Sequence, residues 1–434
     1  MYKKLLPILS LSLILTLASS TLAHAATYYV NKDGSEDFVN IQSALSAVSG
    51  GGLHTIVVRD GIYTGAPNKN LDFGGKSITL RSENGPESCI IDCQGDGRGF
   101  QFLSGETLSS VVDGFTVENA ASPTGGGFPD GWGGAFYCER SSPTIMNCII
   151  QDGAATSGGG IACYSSASPD ILNCVIVGNS ATYGGAIYCN FSSSPEIINC
   201  TISANPWGAA IYCANDSWPI ITNGILWGNS SIFYPEMILV DNASLTVSYS
   251  DVNGGQTNAR VDPGCNLIWG AGNIDADPLF VGDGYHLSAG SPCIDAGTDA
   301  GVYSDIDDEG RPFDAGFDMG ADEYAALELT IINLADPSDL SLLTSAPTFN
   351  WLVDGGTNNV FAVDVSRSPD FANYYSTYEN LHHVIRNVQW TMPGLVWNRI
   401  PSGARVYWRV RGMNLDSATD PIITSDEVWS FTKQ

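Results

Sequence analysis

Through the middle third of the chain, apolar and polar residues alternate in short runs broken by Gly, Asn, Ser and Pro, and the runs recur. In one unit Ile187 and Cys189 fall on one side of a strand and Tyr188 on the other. A turn through Ser192-Ser193-Ser194-Pro195 follows, then Ile197 inward, a corner at Asn199, Cys200 and Ile202 inward, and a last corner at Asn205. The same marks return along the sequence. Cys138, Cys163, Cys189 and Cys213 are spaced by 25, 26 and 24 residues, and Cys148, Cys174, Cys200 and then Gly224 follow them. Pro143, Pro169, Pro195 and Pro219 sit inside the units, and Gly153, Asn179, Asn205 and Asn229 close them. A fixed period of this length signals stacked supersecondary units. Three short strands with tight corners per unit describe one coil of a parallel β-helix. Neighbouring coils would lie about 4.8 Å apart, so Ile stacks on Ile, Cys on Cys and Asn on Asn.

Upstream, residues 37–48 carry Phe38, Ile41, Leu45 and Val48 on one helical face, with Asp37 as the expected N-cap. Strand-like pieces follow at 55–58, 77–80, 89–91 and 111–117, bounded by Gly, Asn and Pro. Their phase puts Gly114 at the Cys148 position and Asn119 at the Asn179 position, and places the start of the solenoid near residue 53. Beyond Ala325 the pattern changes. Phe349 and Trp351, then Phe361, Val363 and Val365, then Val406, Trp408 and Val410, then Trp429 and Phe431 alternate as half-buried antiparallel strands do. About 100 residues of this pattern predict a sandwich.

Several motifs carry resemblances. Gly184-Gly185-Ala186-Ile187, preceded by Ile176-Val177-Gly178-Asn179, resembles the right-handed parallel β-helix superfamily, closest to the repeats of polymorphic outer-membrane proteins. Those have a Phe-x-x-Asn motif, whose Phe is replaced here by Ile or Leu. Phe38 to Ala44 with Asp60-Gly61-Ile62-Tyr63 resembles the N-terminal cap of pectin-acting β-helices. Asp277-Pro278-Leu279-Phe280, Ser291 to Gly297 and Gly320-Ala321-Asp322-Glu323-Tyr324 resemble the end module of secreted bacterial β-helix proteins. Arg405 to Arg411 with Val428-Trp429-Ser430-Phe431 resembles a fibronectin type III module, although Val406 stands where that family's corner tyrosine is expected. The resemblances imply an all-β chain: an export signal over 1–25, a pectin-lyase-like right-handed parallel β-helix with N-terminal cap helix and C-terminal cap over 26–324, and a fibronectin type III-like sandwich over 325–434. They are specific for fold and weak for activity, because β-helices host lyases, hydrolases, esterases and adhesins.

Export is read from Lys3 and Lys4, the apolar run Leu5 to Leu17, and Ala23-His24-Ala25. The run is too short for a stable span, and no later run is longer, so no membrane insertion is expected once the signal is removed. The 18 basic and 46 acidic residues give a net charge of −28. That excludes nucleic acid and anionic lipid as partners and disfavours polyanionic glycans unless cations bridge them. Eleven Cys is an odd number, and seven of them occupy repeat positions beside apolar neighbours. Buried, mostly reduced thiols are expected there, with Cys265 and Cys293 the first candidates for a disulfide.

Candidate chemistry falls in three places. Six residues before each first cysteine stand Trp132, Ser157, Tyr183 and Trp207, and one residue before it Tyr137, Ala162, Tyr188 and Tyr212. Six aromatics in eight slots form either a ledge for the apolar faces of sugar rings or a ladder packed under its own loops. The insertion Ala121 to Gly131, ending at Trp132, lies on that side. Second, ten acids crowd residues 295–323, and Asp305, Asp307 and Glu309 partly match a calcium loop whose closing Glu is missing (Gly316 is there). Calcium is thus the one candidate cofactor. Third, Asp130 and Glu139 flank the aromatics and are the candidate pair if the chain hydrolyses a glycan. Arg140 is the only Lys or Arg between residues 100 and 259, which counts against a uronate lyase, and no pectin-lyase, polygalacturonase or pectin-esterase motif is recognisable. The expectation is a secreted or cell-surface monomer that binds polysaccharide or a cell-surface glycan through its aromatic face. The alternatives are a polysaccharide lyase or glycoside hydrolase, and a structural scaffold.

Overall fold

The computed structural model describes residues 25–49, 52–123, 130–229, 234–313, 315–325, 331–356, 359–381, 383–415 and 422–434. The segment up to His24, where an export signal is expected, lies outside the described residues, as do Gly125-Gly126-Gly127 of the insertion and Asp314. Two compact units are present. One holds the chain to His286 together with Pro292–Glu323, and the other holds Leu287–Ser291 and Tyr324–Gln434.

The first unit is a parallel β-helix. Its first sheet has ten strands among the described residues, from Thr27–Val30 to Asn266–Trp269; the second has eight, from Gly61–Tyr63 to Asp251–Val252; the third has seven, from Phe100–Phe102 to Ala259–Val261. The repeat becomes spatial adjacency. Cys138 pairs with Cys163, Cys163 with Cys189, and Cys189 with Cys213. These four thiols are fully buried in one apolar core with Ile161, Ile187 and Ile211; burial holds the Cys138 thiol well above the ordinary range, and for Cys163 the contact with the Cys189 thiol, with burial, does the same. All eleven cysteines are unbonded, so Cys265 and Cys293 do not form the expected disulfide. Cys293 instead donates to the Asp251 carboxylate at 3.4 Å.

Corners explain the polar half of the pattern. Asn147, Asn173, Asn199 and Asn223 turn the chain from the first sheet to the second with φ of 49–55°, a left-handed conformation that Asn tolerates. The second corner is made one residue earlier than expected, by Gly178, Ala204 and Gly228. Asn179, Asn205 and Asn229 then point into the stack as a buried ladder. Each side-chain oxygen accepts the backbone N–H of Gly153, Asn179 or Asn205 in the preceding coil. Each amide donates back to a carbonyl, of Ile150, Ile176 or Ile202. Glu236, fully buried, accepts from the last rung, Asn229, and ends the ladder.

The Gly-Gly pair has an equally local cause. Gly184 has φ of 65°, and a Cβ there would collide with the Ile187 carbonyl; one on Gly185 would meet the Trp207 carbonyl of the next coil. Coils touch backbone to backbone at this entry to the third sheet, so side chains are excluded.

Three other expectations shift. The helix is Ile41–Ala47, capped by Asn40, whose side chain accepts from Ser43 N–H; Asp37 instead holds the Tyr29 amide. The first coil begins at Thr27, because Thr27–Val30 pairs with His54–Val58. Phe115, not Gly114, shares the Cys148 position, since Thr116 aligns with Ile149; a one-residue slip exchanges inward and outward faces. Residues 277–286 and 292–323, the side module, do not add another coil. They run back along the second sheet, burying Ile149 and Val175 under Tyr285, Ile306 and Ala321. Asn173 and Asn223 donate to the carbonyls of Ser304 and Thr298 and pin them there.

The second unit has an antiparallel three-stranded sheet (Ile331–Asp336, Thr348–Asp354, Gln389–Thr391) and a larger sheet around Asn359–Ser366, Arg405–Asn414 and Trp429–Lys433. Phe349, Trp351, Phe361, Val363, Trp408, Val410 and Phe431 share its core. Val406 is inward and buried, and Tyr407 takes the outer register. No helix among the described residues is long and apolar enough to cross a membrane.

Candidate functional site

The outer face of the third sheet carries the predicted aromatics in two layers. In the strands, Tyr137, Ala162, Tyr188 and Tyr212 follow one another in register. Tyr137 is fully buried and Tyr188 nearly so, which corrects the expectation that this column lies open. The reason is the roof above it. Trp132 packs edge-on against Tyr164 and Tyr188, at 4.8 and 5.3 Å between ring centres. The Arg98 guanidinium, itself buried, lies 5.1 Å from the Tyr137 ring centre. Burial drives the phenols of Tyr137 and Tyr188 well above their ordinary pKa, with Glu139 adding to the first and Tyr212 to the second. These two rings are supports.

The outer layer is open. Tyr183 is 43% exposed, Trp207 52% and Phe191 50%. Tyr183 is braced edge-on by Tyr212 at 5.3 Å, Phe191 by Tyr164 at 5.2 Å, and Trp207 by Tyr234 at 5.7 Å. Trp207 leaves the expected column, because it pairs with Ser180 and not with Tyr183. The unit of 24 residues before Cys213 is shorter than its neighbours, so counting back from the cysteine misplaces it. Tyr164 and Phe191 were missed by that count; they come one and two positions after the strand cysteine, and the alternation rule marks the first as outward. Polar groups lie among the rings. Asn190 donates to the Tyr188 hydroxyl at 2.7 Å and accepts from Asn215.

Glu139 stands at one rim. It accepts from the Tyr137 hydroxyl at 3.2 Å and pairs with Arg140 at 3.4 Å. Asp130 acts on Arg98, whose guanidinium faces the Tyr137 ring.

In the side module Asp305 is not free to hold calcium. Its oxygens accept the amides of Asp307, Glu309 and Glu323, and it is 1% exposed. Glu309 is exposed. Of the three expected calcium ligands only Asp307 joins a cluster, with His286 and Asp322, two residues that the calcium-loop spacing does not pick out. His286 Nε2 lies 2.7 Å from Asp307 and Nδ1 2.7 Å from Asp283. The Asp307 contact, reinforced by Asp283, pushes the imidazole up to about 10. Beside this cluster a cleft of about 440 Å³ runs between residues 81–88 and 305–308, lined also by Asp113 and Asn147.

No family model matches the chain. Over 86 residues, 20% of its length, it is 34% identical to the probable pectinesterase/pectinesterase inhibitor 17 of Arabidopsis thaliana. The chain spans 16% of that relative. Among solved structures it is similar to the pectin methylesterase from carrot, at 13% identity and a TM-score of 0.37, over 58% of this chain and 83% of that one.

Proposed function

We propose that the chain is an exported, carbohydrate-binding β-helix protein that holds an uncharged polysaccharide along the outer face of the third sheet. The observation that carries this reading is the pairing of exposed rings with half-buried ones. Tyr183, Trp207 and Phe191 offer flat apolar area already fixed by ring neighbours, so little side-chain entropy is lost on contact. Hydroxyl-bearing sugars suit rings interspersed with Asn and Tyr polar groups. The net charge of −28 repels polyuronates, and the nearby cations are engaged, Arg140 with Glu139 and Arg260 with Asp262. An esterified pectin, whose carboxylates are masked, meets that requirement and accords with the name of the Arabidopsis relative. Screening the protein against neutral and esterified glycans tests the reading; silence across the whole panel removes it.

The short pectinesterase similarity also favours a second reading, an enzyme that hydrolyses the esters or cleaves the chain of such a polymer, with Glu139 at the rim as the group to change. Time-dependent release of methanol, reducing ends or unsaturated product, abolished by Glu139→Gln, would establish it. No release over long incubation discards it.

A further inference from the structure

The side module contains a group arrangement that neither glycan binding nor folding of the solenoid requires. One ligand atom each from His286, Asp307 and Asp322 lies within 4.8 Å of the others. Three separated turns supply them, and buried anchors fix those turns. Ile306 N–H donates to the Ala321 carbonyl at 3.1 Å, Ala321 N–H to Thr201 Oγ1 of the solenoid at 3.0 Å, and Glu323 N–H to Asp305 at 3.1 Å, while Ser203 Oγ of the solenoid donates to the Gly284 carbonyl at 3.2 Å in the turn before His286. The three donors are therefore held by the fold before anything binds.

We infer that His286, Asp307 and Asp322 form a binding site for a divalent transition-metal ion of the zinc class. The donor set is one imidazole nitrogen and two carboxylates, which balances a dication and matches the ligands that zinc takes. Calcium and magnesium prefer all-oxygen shells with six or more ligands, and an imidazole at the centre of the set selects against them. The second ring nitrogen carries the supporting feature. Nδ1 of His286 is held by the Asp283 carboxylate at 2.7 Å, the outer contact that orients ligating histidines and makes them better donors. Asp283 is thus a positioning residue. Asp322 is 6% exposed, while Asp307 lines the 440 Å³ cleft, which gives an ion a route in and leaves room for water on its open side. The site is formed by His286 and Asp322 in place of the Asp305 and Glu309 expected from sequence.

Chelator-treated full-length protein is titrated with ZnCl₂ by calorimetry, and with CoCl₂ while the visible spectrum is recorded. One ion per chain is expected, with a cobalt d–d band. Binding falls at least about 100-fold in His286→Gln and Asp322→Asn, and by about 10- to 100-fold in Asp283→Asn. Should a variant not fold, the wild type decides alone: zinc shifts the His286 ring resonances in 1H–15N spectra, and calcium at the same concentration does not. Absence of saturable zinc binding, or zinc binding that leaves the His286 ring resonances unmoved, overturns the inference. So does calcium binding of equal strength that survives His286→Gln.

Discussion

Replacing Asn205 by Ala tests whether the buried ladder joins the coils. The side chain makes five hydrogen bonds, all inside the protein. It accepts from Asn179 N–H and Asn179 Nδ2 at 2.8 and 3.2 Å, and donates to Ile176 O, Ser203 O and Asn229 Oδ1 at 2.9, 3.1 and 2.7 Å. Alanine leaves the fully buried Asn179 backbone N–H without its acceptor, while the Asn229 oxygen keeps the Asn205 backbone N–H. A stranded buried polar group costs about 1–3 kcal/mol, with the lost amide-to-carbonyl bonds and the void adding to that. The predicted loss is about 3 kcal/mol. Urea unfolding followed by far-UV circular dichroism measures it; Asn205→Asp should not rescue, since a carboxylate cannot donate to the Ile176 and Ser203 carbonyls. A loss under about 1 kcal/mol would refute the reasoning.

Three further outcomes are expected. Without denaturant, a thiol reagent should label at most Cys265, the one cysteine that is not buried, and should label all eleven after unfolding; labelling of the repeat thiols in native protein contradicts the packing. Burial raises the Asp251 carboxyl to about 6 from an ordinary 3.8, so the folded state holds that proton more tightly than the unfolded chain. Its contribution is most favourable below pH 4 and declines between about 4 and 6, by about 3 kcal/mol. Asp251→Asn should therefore be more stable than wild type at pH 7, by up to that amount, but not at pH 4; an equal difference at both pH values refutes the assignment. Gly184→Ala should cost more than the 1–2 kcal/mol of a left-handed non-glycine residue, because its Cβ meets the Ile187 carbonyl; a smaller loss of stability in urea unfolding would show that the turn from Gly184 to Ile187 can open to admit a side chain.

Core positions were legible because a parallel stack turns sequence period into contact. Ile187, Cys189, Ile197, Cys200 and Ile202 all face inward as alternation requires. The corners were legible to within one residue: Asn199 turns the chain, but Ala204, not Asn205, has the positive φ. Local alternation says nothing about which groups cover an outward strand face. Tyr137 and Tyr188 do point outward from the core, yet Trp132 and Arg98 close over them, and only the spatial arrangement shows that. The His286 cluster was hidden for a related reason. Its members come from turns 21 and 15 residues apart that converge only because the segment folds back along the second sheet.

The central claim, a sugar-binding face built on stacked coils, is tested most directly by one binding isotherm. The best glycan from the panel is titrated into wild type, into Tyr183→Ala/Phe191→Ala/Trp207→Ala, and into Tyr303→Ala, which removes an equally exposed ring from the side module. At about 1 kcal/mol per lost ring contact, the triple variant should bind about 100-fold more weakly, and the Tyr303 variant should match wild type. Equal affinity in all three proteins would contradict the account.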